Sequence, residues 1–232
     1  MTGKPIITIL SGAGMSAESG LSTFRDSDGL WANYSVEEIC TPEALASHPE
    51  RVIDFYNHRR IECAQAEPNE GHRLIAELEK EYDVRVVTQN VDNLHERAGS
   101  TKVIHLHGEL MKCASVRDPY HPLPLPEGRL EMTVHDKDEH GDMLRPYIVF
   151  FGEQVPRLEE GIREVRQADI FLVIGTSLAV YPASGLLYYV SPDTPTYLID
   201  PKDVPTPREV THIRKGASEG MREFIRLIHQ TK

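Results

Sequence analysis

The chain is 232 residues long, with 25 basic and 36 acidic residues and a formal net charge of -11. That balance argues against nucleic-acid binding, which shows as a basic face, and three cysteines (Cys40, Cys63, Cys113) are too few for a disulfide framework. No run of about 18 uncharged apolar residues occurs, so no membrane span is expected. The first residues, MTGKPIITILSGAG, put glycines straight after a short apolar run, which reads as strand-to-loop and not as a secretory leader; the expected location is the cytoplasm.

In chain order, β-branched and apolar runs predict strands at PIITIL (5–10), VRVVTQ (84–89), KVIHLH (102–107), YIVFF (147–151), DIFLVIG (169–175) and PTYLID (195–200). Several are continuous rather than alternating, as expected where both faces of a sheet are covered. Helical patterns fall at 15–20, 49–66, 70–81, 91–98, 157–167, 182–190 and 217–230. Strands separated by helices predict an α/β fold, a Rossmann-like doubly wound parallel sheet with a smaller inserted module. The main domain is expected to comprise 1–31, 82–112 and 147–232. Residues 32–81 form a helical insertion. Residues 113–146 carry five of the 16 prolines and no clear helix, and form a second one.

IITILSGAGMSA places Gly12, Gly14 and Ala17 directly after a strand and into a helix, in the arrangement of a dinucleotide-binding loop. There a glycine permits the tight turn, a second lets the backbone approach a pyrophosphate, and helix N–H groups hold the phosphates. An ordinary strand-to-helix turn would read the same. The acidic residue that a dehydrogenase carries about 20 residues on is missing, since TFRDSDGLWANYS is no strand. An acidic strand end comes much later, at Asp200.

VVTQNVDNLHERAG and VIHLHGEL put polar residues at the carboxyl ends of two strands, the edge where open α/β sheets bind ligands. Gln89, Asn90 and Asp92 can fix an amide or a ribose, although Asn90 and Asp92 could equally cap the helix at 91–98. His107, beside Gly108, has the chemistry of a general base, while His105 should pack on the opposite face. GTS (175–177) repeats the pattern after another strand.

In order, GAGMSAESGLSTFR (12–25), TQNVDNLHERAG (88–99), HLHGEL (105–110), LRPYIVFFGE (144–153) and GTSLAVYPAS (175–184) resemble the sirtuin family of NAD-dependent protein-lysine deacylases, over nearly the whole chain. The resemblance implies NAD as cofactor, held by Gly12, Ala13, Gly14, Ser16 and Ala17, with Phe24, Arg25 and Trp31 covering it. Gln89, Asn90 and Asp92 would line the nicotinamide and ribose pocket, Asn90 belonging with the catalytic base His107. Gly175, Thr176 and Ser177 would contact the adenosine half, with Asp200 and Ala217 nearby. The family usually has asparagine at the position of Asp200; a carboxylate there accepts ribose hydroxyls and repels a 2′-phosphate. Val149, Phe150, Phe151, Gly152 and Glu153 would wall the acyl-lysine tunnel. The implied products are nicotinamide, O-acyl-ADP-ribose and free lysine. Mono-ADP-ribosyl transfer and a non-catalytic NAD sensor are the alternatives that use the same pocket.

DFYNHRR (54–60) sets Tyr56 and Arg59 three apart on one helical face. So placed, the pair resembles that of family members accepting succinyl- or malonyl-lysine, and a guanidinium pairs bidentately with a carboxylate. The competing reading is a solvated, arginine-rich face, which His58 and Arg60 would fit. Residues 113–146 stand where the family's zinc module belongs, yet Val116 occupies the place of the second cysteine and the other pair is absent. A set of Cys113, His121, His135 and His140 lacks paired spacing, so a degenerate module without zinc is expected.

Overall fold

The computed structural model describes residues 3–21 and 34–230. In chain order its elements are β1 (Ile6–Ser11), α1 (Gly14–Ala17), α2 (Val36–Ile39), α3 (Pro42–Ser47), α4 (Pro49–Gln65), α5 (Glu70–Leu78), β2 (Asp83–Thr88), α6 (Leu94–Ala98), β3 (Val103–His105), β4 (Gly108–Ser115), β5 (Leu123–Pro124), β6 (Leu144–Ile148), α7 (Leu158–Arg166), β7 (Ile170–Ile174), β8 (Thr196–Ile199), β9 (Thr211–Ile213) and α8 (Ala217–Gln230), with 3-10 turns at Pro126–Gly128 and Ala183–Tyr189. No helix among the described residues is long and apolar enough to cross a membrane.

Alternating side chains send each strand of the larger sheet into two cores. Ile7, Ile9, Val84, Val86, Leu172, Ile174 and Ile199 face Ile75 and Leu78 of α5 and Met221, Phe224 and Ile228 of α8. Leu10, Val87, Phe171, Val173 and Leu198 face Ile162 and Val165 of α7 and the 3-10 segment's Leu186 and Leu187. With both faces covered, continuous apolar runs are what the strands require. The sheet is parallel throughout, in the order β3-β2-β1-β7-β8-β9. The expected Rossmann-like α/β architecture is the one observed.

A second, antiparallel sheet in the order β5-β4-β6 accounts for most departures from expectation. The run YIVFF is not a member of the large sheet: its first residues end β6, and the strand stops at Ile148. KVIHLH breaks after His105, because β4 begins at Gly108 with φ +87, and a Cβ there would collide with the Tyr147 carbonyl oxygen. Expected boundaries at 112/113 and 146/147 therefore fall inside β4 and β6. Within 32–81, α5 belongs to the core of the large sheet, whereas α2, α3 and α4 pack with β4 and β6 through Ile39, Leu45, Phe55, Leu110 and Phe150. The helix expected at 15–20 is one turn, that at 91–98 starts at Leu94, and 182–190 is 3-10.

Helix α4 is buried on two sides because it wedges between that cluster and a smaller one of Ile53, Cys113, Met132 and Leu144. This placement corrects the reading of Arg60 as a solvated residue: it is 0% exposed. Its Nε donates to the Leu110 carbonyl (2.7 Å) and its Nη1 to Asn57 Oδ1 (2.8 Å). Asn57 in turn exchanges two bonds with the Met132 backbone, Nδ2 to its carbonyl and Oδ1 from its N–H, both 2.8 Å. The Cys113 thiol is buried and donates to the Pro124 carbonyl at 3.0 Å. His121, His135 and His140 are all exposed, and among the described residues no group of three or more histidine, cysteine or acidic side chains could hold a metal ion.

Candidate active site

The carboxyl ends of β1, β2, β3 and β7 meet at the point where the chain's strand order reverses, β2 lying on one side of β1 and β7 on the other. Gln89 bridges that crevice, its Nε2 donating to Thr176 Oγ1 at 3.0 Å. The glycine loop after β1 packs directly on the loop after β7. Gly12 N–H donates to the Ile174 carbonyl (3.0 Å) and Gly14 N–H to the Gly175 carbonyl (2.8 Å). A Cβ on Gly12 would lie 2.6 Å from Thr176 Cβ, and one on Gly14 2.9 Å from Gly175 Cα. The glycines are thus demanded by contact between two loops, and the Gly14 N–H expected for a phosphate already has an acceptor. Ala13 precedes α1, a single turn, and Ala17 ends it.

Behind this loop sits a buried polar cluster. Ser16, 1% exposed, donates from Oγ to Asp92 Oδ2 (2.9 Å) and accepts from Asn90 Nδ2 (3.1 Å). Asp92 Oδ1 accepts the Leu94 N–H at 3.1 Å, so the capping role and the site role fall on one carboxylate. Burial pushes the Asp92 carboxyl up from its ordinary range against those two bonds. The Asn90 N–H donates to Thr88 Oγ1 (3.0 Å), which also accepts from Ser11 Oγ (2.8 Å). Beneath lie His95, its Nε2 3.0 Å from Ser11 Oγ, and His72, neither of whose ring nitrogens meets a partner.

His107 occupies the two-residue seam between β3 of the large sheet and β4 of the small one, half-buried. Its Nδ1 lies 3.2 Å from the Gln89 carbonyl oxygen. A carbonyl can only accept, so the neutral ring carries its proton on Nδ1 and its lone pair on Nε2. Burial holds its pKa below the usual histidine value despite the Gln89 bond, which keeps the base form populated at neutral pH. Its carbonyl oxygen accepts the Val149 N–H at 2.9 Å.

Val149 opens the turn that follows β6. Phe150 is 1% exposed and stacks on Tyr56 at 5.9 Å, while the Arg145 guanidinium lies 4.1 Å from its ring centre. Phe151 is 47% exposed, and Gly152 has φ +90. Glu153 faces inward: its carboxylate takes two bonds from Arg145 (2.6 and 3.1 Å) and the Phe150 N–H (2.7 Å). It braces the turn instead of lining its surface, and Arg145, which the sequence reading left out, is its partner. Tyr56 donates to Cys40 Sγ at 3.4 Å, and Arg59 pairs with Glu62 at 2.8 Å. At the far edge, Ser177 is half-buried, Asp200 directly follows β8 with Oδ1 accepting the Lys202 N–H (2.9 Å), and Ala217 begins α8. Phe24, Arg25 and Trp31 lie outside the described residues.

Residues 12–182 match the Sir2 family. The chain belongs to the Sir2 family. A Bacteroides thetaiotaomicron protein named NAD-dependent protein deacylase is 55% identical over 227 residues, covering 96% of this chain and 97% of that one. A Helicobacter pylori protein of the same name is 44% identical over 221 residues, 94% of this chain and 95% of its own. Among solved structures, a Sir2 homologue in complex with NAD superposes with a TM-score of 0.86 at 38% identity, covering 98% of this chain and 91% of that one. NAD is the cofactor of such sites, and the side chains at the switch point are of the kind that fits it: the Gln89 and Asn90 amides, the Thr176 and Ser16 hydroxyls and the Asp92 carboxylate.

Proposed function

We propose that this chain removes acyl groups from protein lysines at the expense of NAD, and that the crevice between the two sheets is where it does so. The observation that carries the reading is His107, a base with Nδ1 tied to Gln89 and Nε2 left to take a proton, in a Sir2-family chain. The names of the Bacteroides and Helicobacter relatives support it. When bound, NAD supplies a ribosyl carbon from which nicotinamide departs and which the acyl oxygen attacks. The chain's own part is orientation and proton transfer. Gln89, Asn90, Asp92 and Ser16 hold the nicotinamide ribose, and Gly12, Ala13, Gly14, Ala17, Gly175, Thr176, Ser177, Asp200 and Ala217 the remainder. His107 Nε2 removes a ribose hydroxyl proton. Phe24, Arg25 and Trp31 belong to the cover. In this reading 1–31, 82–107 and 149–232 form the NAD-binding part, and 108–148 with α2 to α4 the substrate-facing part.

The wall offered to acyl-lysine is Val149 to Phe151 and Gly152, braced from behind by Glu153. Tyr56 stacks on Phe150 and Arg59 follows it by three residues in α4, which supports recognition of acidic acyl groups: a succinyl or malonyl carboxylate would exchange for Glu62 at Arg59. A panel of acetyl-, malonyl- and succinyl-lysine peptides, with and without NAD and with products weighed by mass spectrometry, tests both levels. Free lysine and O-acyl-ADP-ribose support deacylation; ADP-ribosylated peptide without lysine release overturns it. Arg59→Met should lower kcat/KM on succinyl peptide more than about tenfold and on acetyl peptide little. Equal losses remove Arg59 from acyl selection.

A further inference from the structure

The motif around the base carries two histidines, and only His107 has been given work. His105, at the end of β3, is 4% exposed. Its Nδ1 lies 2.8 Å from the Asn90 carbonyl oxygen and its Nε2 2.7 Å from Glu96 Oε1. Both neighbours are acceptors. A neutral imidazole has one N–H and would turn a lone pair on one of them; only the doubly protonated ring satisfies both. Asn90 itself is otherwise anchored through its N–H to Thr88 and its amide to Ser16, so the carbonyl is its third point of attachment.

We propose that His105, kept as a double donor by Glu96, is a positioning residue for Asn90, and that loss of one ring proton releases Asn90. The consequence for catalysis rests on the reading of Asn90 as part of the NAD site. In the neutral ring the remaining proton is drawn to the Glu96 carboxylate, which leaves the Nδ1 lone pair against the Asn90 oxygen. The charged or titratable groups facing His105 are Glu96 and His95 from α6, Asp92 from the loop before it, and Glu109 from β4, with Lys112 acting on Glu96. Burial opposes the charge on His105, but the Glu96 bond and charge, the Asn90 carbonyl and Glu109 outweigh it and raise its pKa. Glu96 responds in the matching direction: burial raises it, His105 overcomes that, and it ends lowered.

Nitrogen-15 NMR of the ring in the intact protein reads the first half directly. At pH 7, two protonated ring nitrogens are expected at His105; a single neutral tautomer overturns the proposal. The second half is read from kcat/KM against pH, where the wild type should show an alkaline limb at the NMR midpoint. His105→Asn keeps an amide near the Nδ1 position and should lose that limb while kcat stays within about threefold. His105→Gln puts its amide near Nε2, serves Glu96 alone, and should lower kcat about 30-fold with little change in acyl-peptide KM, the scale of a slightly misplaced active-site group. Glu96→Gln should move or remove the limb. Equal rates for the two residue-105 variants, or a limb unmoved by both His105→Asn and Glu96→Gln, overturns it. Absence of turnover on every acyl peptide would sink the deacylase reading instead, and leaves the NMR arm intact.

Discussion

The two sheets use buried polar side chains in opposite ways. At the carboxyl edge of the large parallel sheet, Ser16, Asn90 and Asp92 bond to one another and His107 bonds to the Gln89 carbonyl, beside the crevice at the switch point. Around the small sheet, Asn57 and Arg60 of α4 and Cys113 of β4 bond inward to Met132, Leu110 and Pro124. One arrangement gathers polar groups beside the crevice; the other ties a module together through its own side chains. Asparagine serves in both, Asn90 at the crevice and Asn57 in the module, and the partners its bonds reach separate the two uses.

The comparison breaks most sharply at its two ends. His107→Asn removes the base yet preserves a donor to Gln89; deacylation should fall at least about 100-fold while the melting temperature hardly moves. A large loss of stability would make His107 part of the scaffold. Arg60→Met should do the reverse. It strands the Leu110 carbonyl in the interior and leaves the Asn57 amide oxygen only its bond from the Met132 N–H, at a cost of about 2 kcal/mol in chemical denaturation, with NAD affinity kept in the protein that remains folded.

His72 and His95 test the floor beneath the site. Burial, chiefly, holds His72 down to about 4, and burial also holds His95 well below the usual histidine value. The unfolded chain takes up protons near 6.5 that the folded chain refuses, so stability is complete above that pH and is lost as pH falls towards 4. The His72 share of that loss is up to about 3 kcal/mol. Denaturation at pH 7.5, 6 and 5 should show the decline, and His72→Leu should flatten it; an unchanged slope would clear His72. The smallest effect concerns Cys113→Ala, which should cost only about 1 kcal/mol as a buried thiol. Collapse of the module, or one zinc per chain in elemental analysis, would restore the metal reading.

The large sheet is legible because its strands are doubly buried, which writes five of its six as apolar runs; β9, the three-residue Thr211–Ile213, writes nothing. The small sheet is illegible for the converse reason. GELMKCAS mixes polar and apolar residues because β4 curves between two clusters, and YIVFF looks continuous only because a strand and a packed turn adjoin. Site residues stand out at strand ends, where a polar residue after an apolar run has no packing purpose. Glu153 was misjudged because a motif records which residues occur together and not which way they face. Arg60 was misjudged because an arginine whose partners are carbonyls of distant strands carries no local mark.

The backbone bond from Val149 to the carbonyl of His107 has a practical consequence for anyone recombining such proteins. The proposed base and the first residue of the proposed acyl-lysine wall are stitched together across the joint between the sheets. A chimaera that exchanges the small sheet for a relative's must therefore keep 106–108 and 148–149 in the same relative placement, because the bond depends on where the two backbones sit and not on their side chains. A crossover that shifts one segment against the other should yield a folded protein that keeps its NAD affinity and loses its turnover.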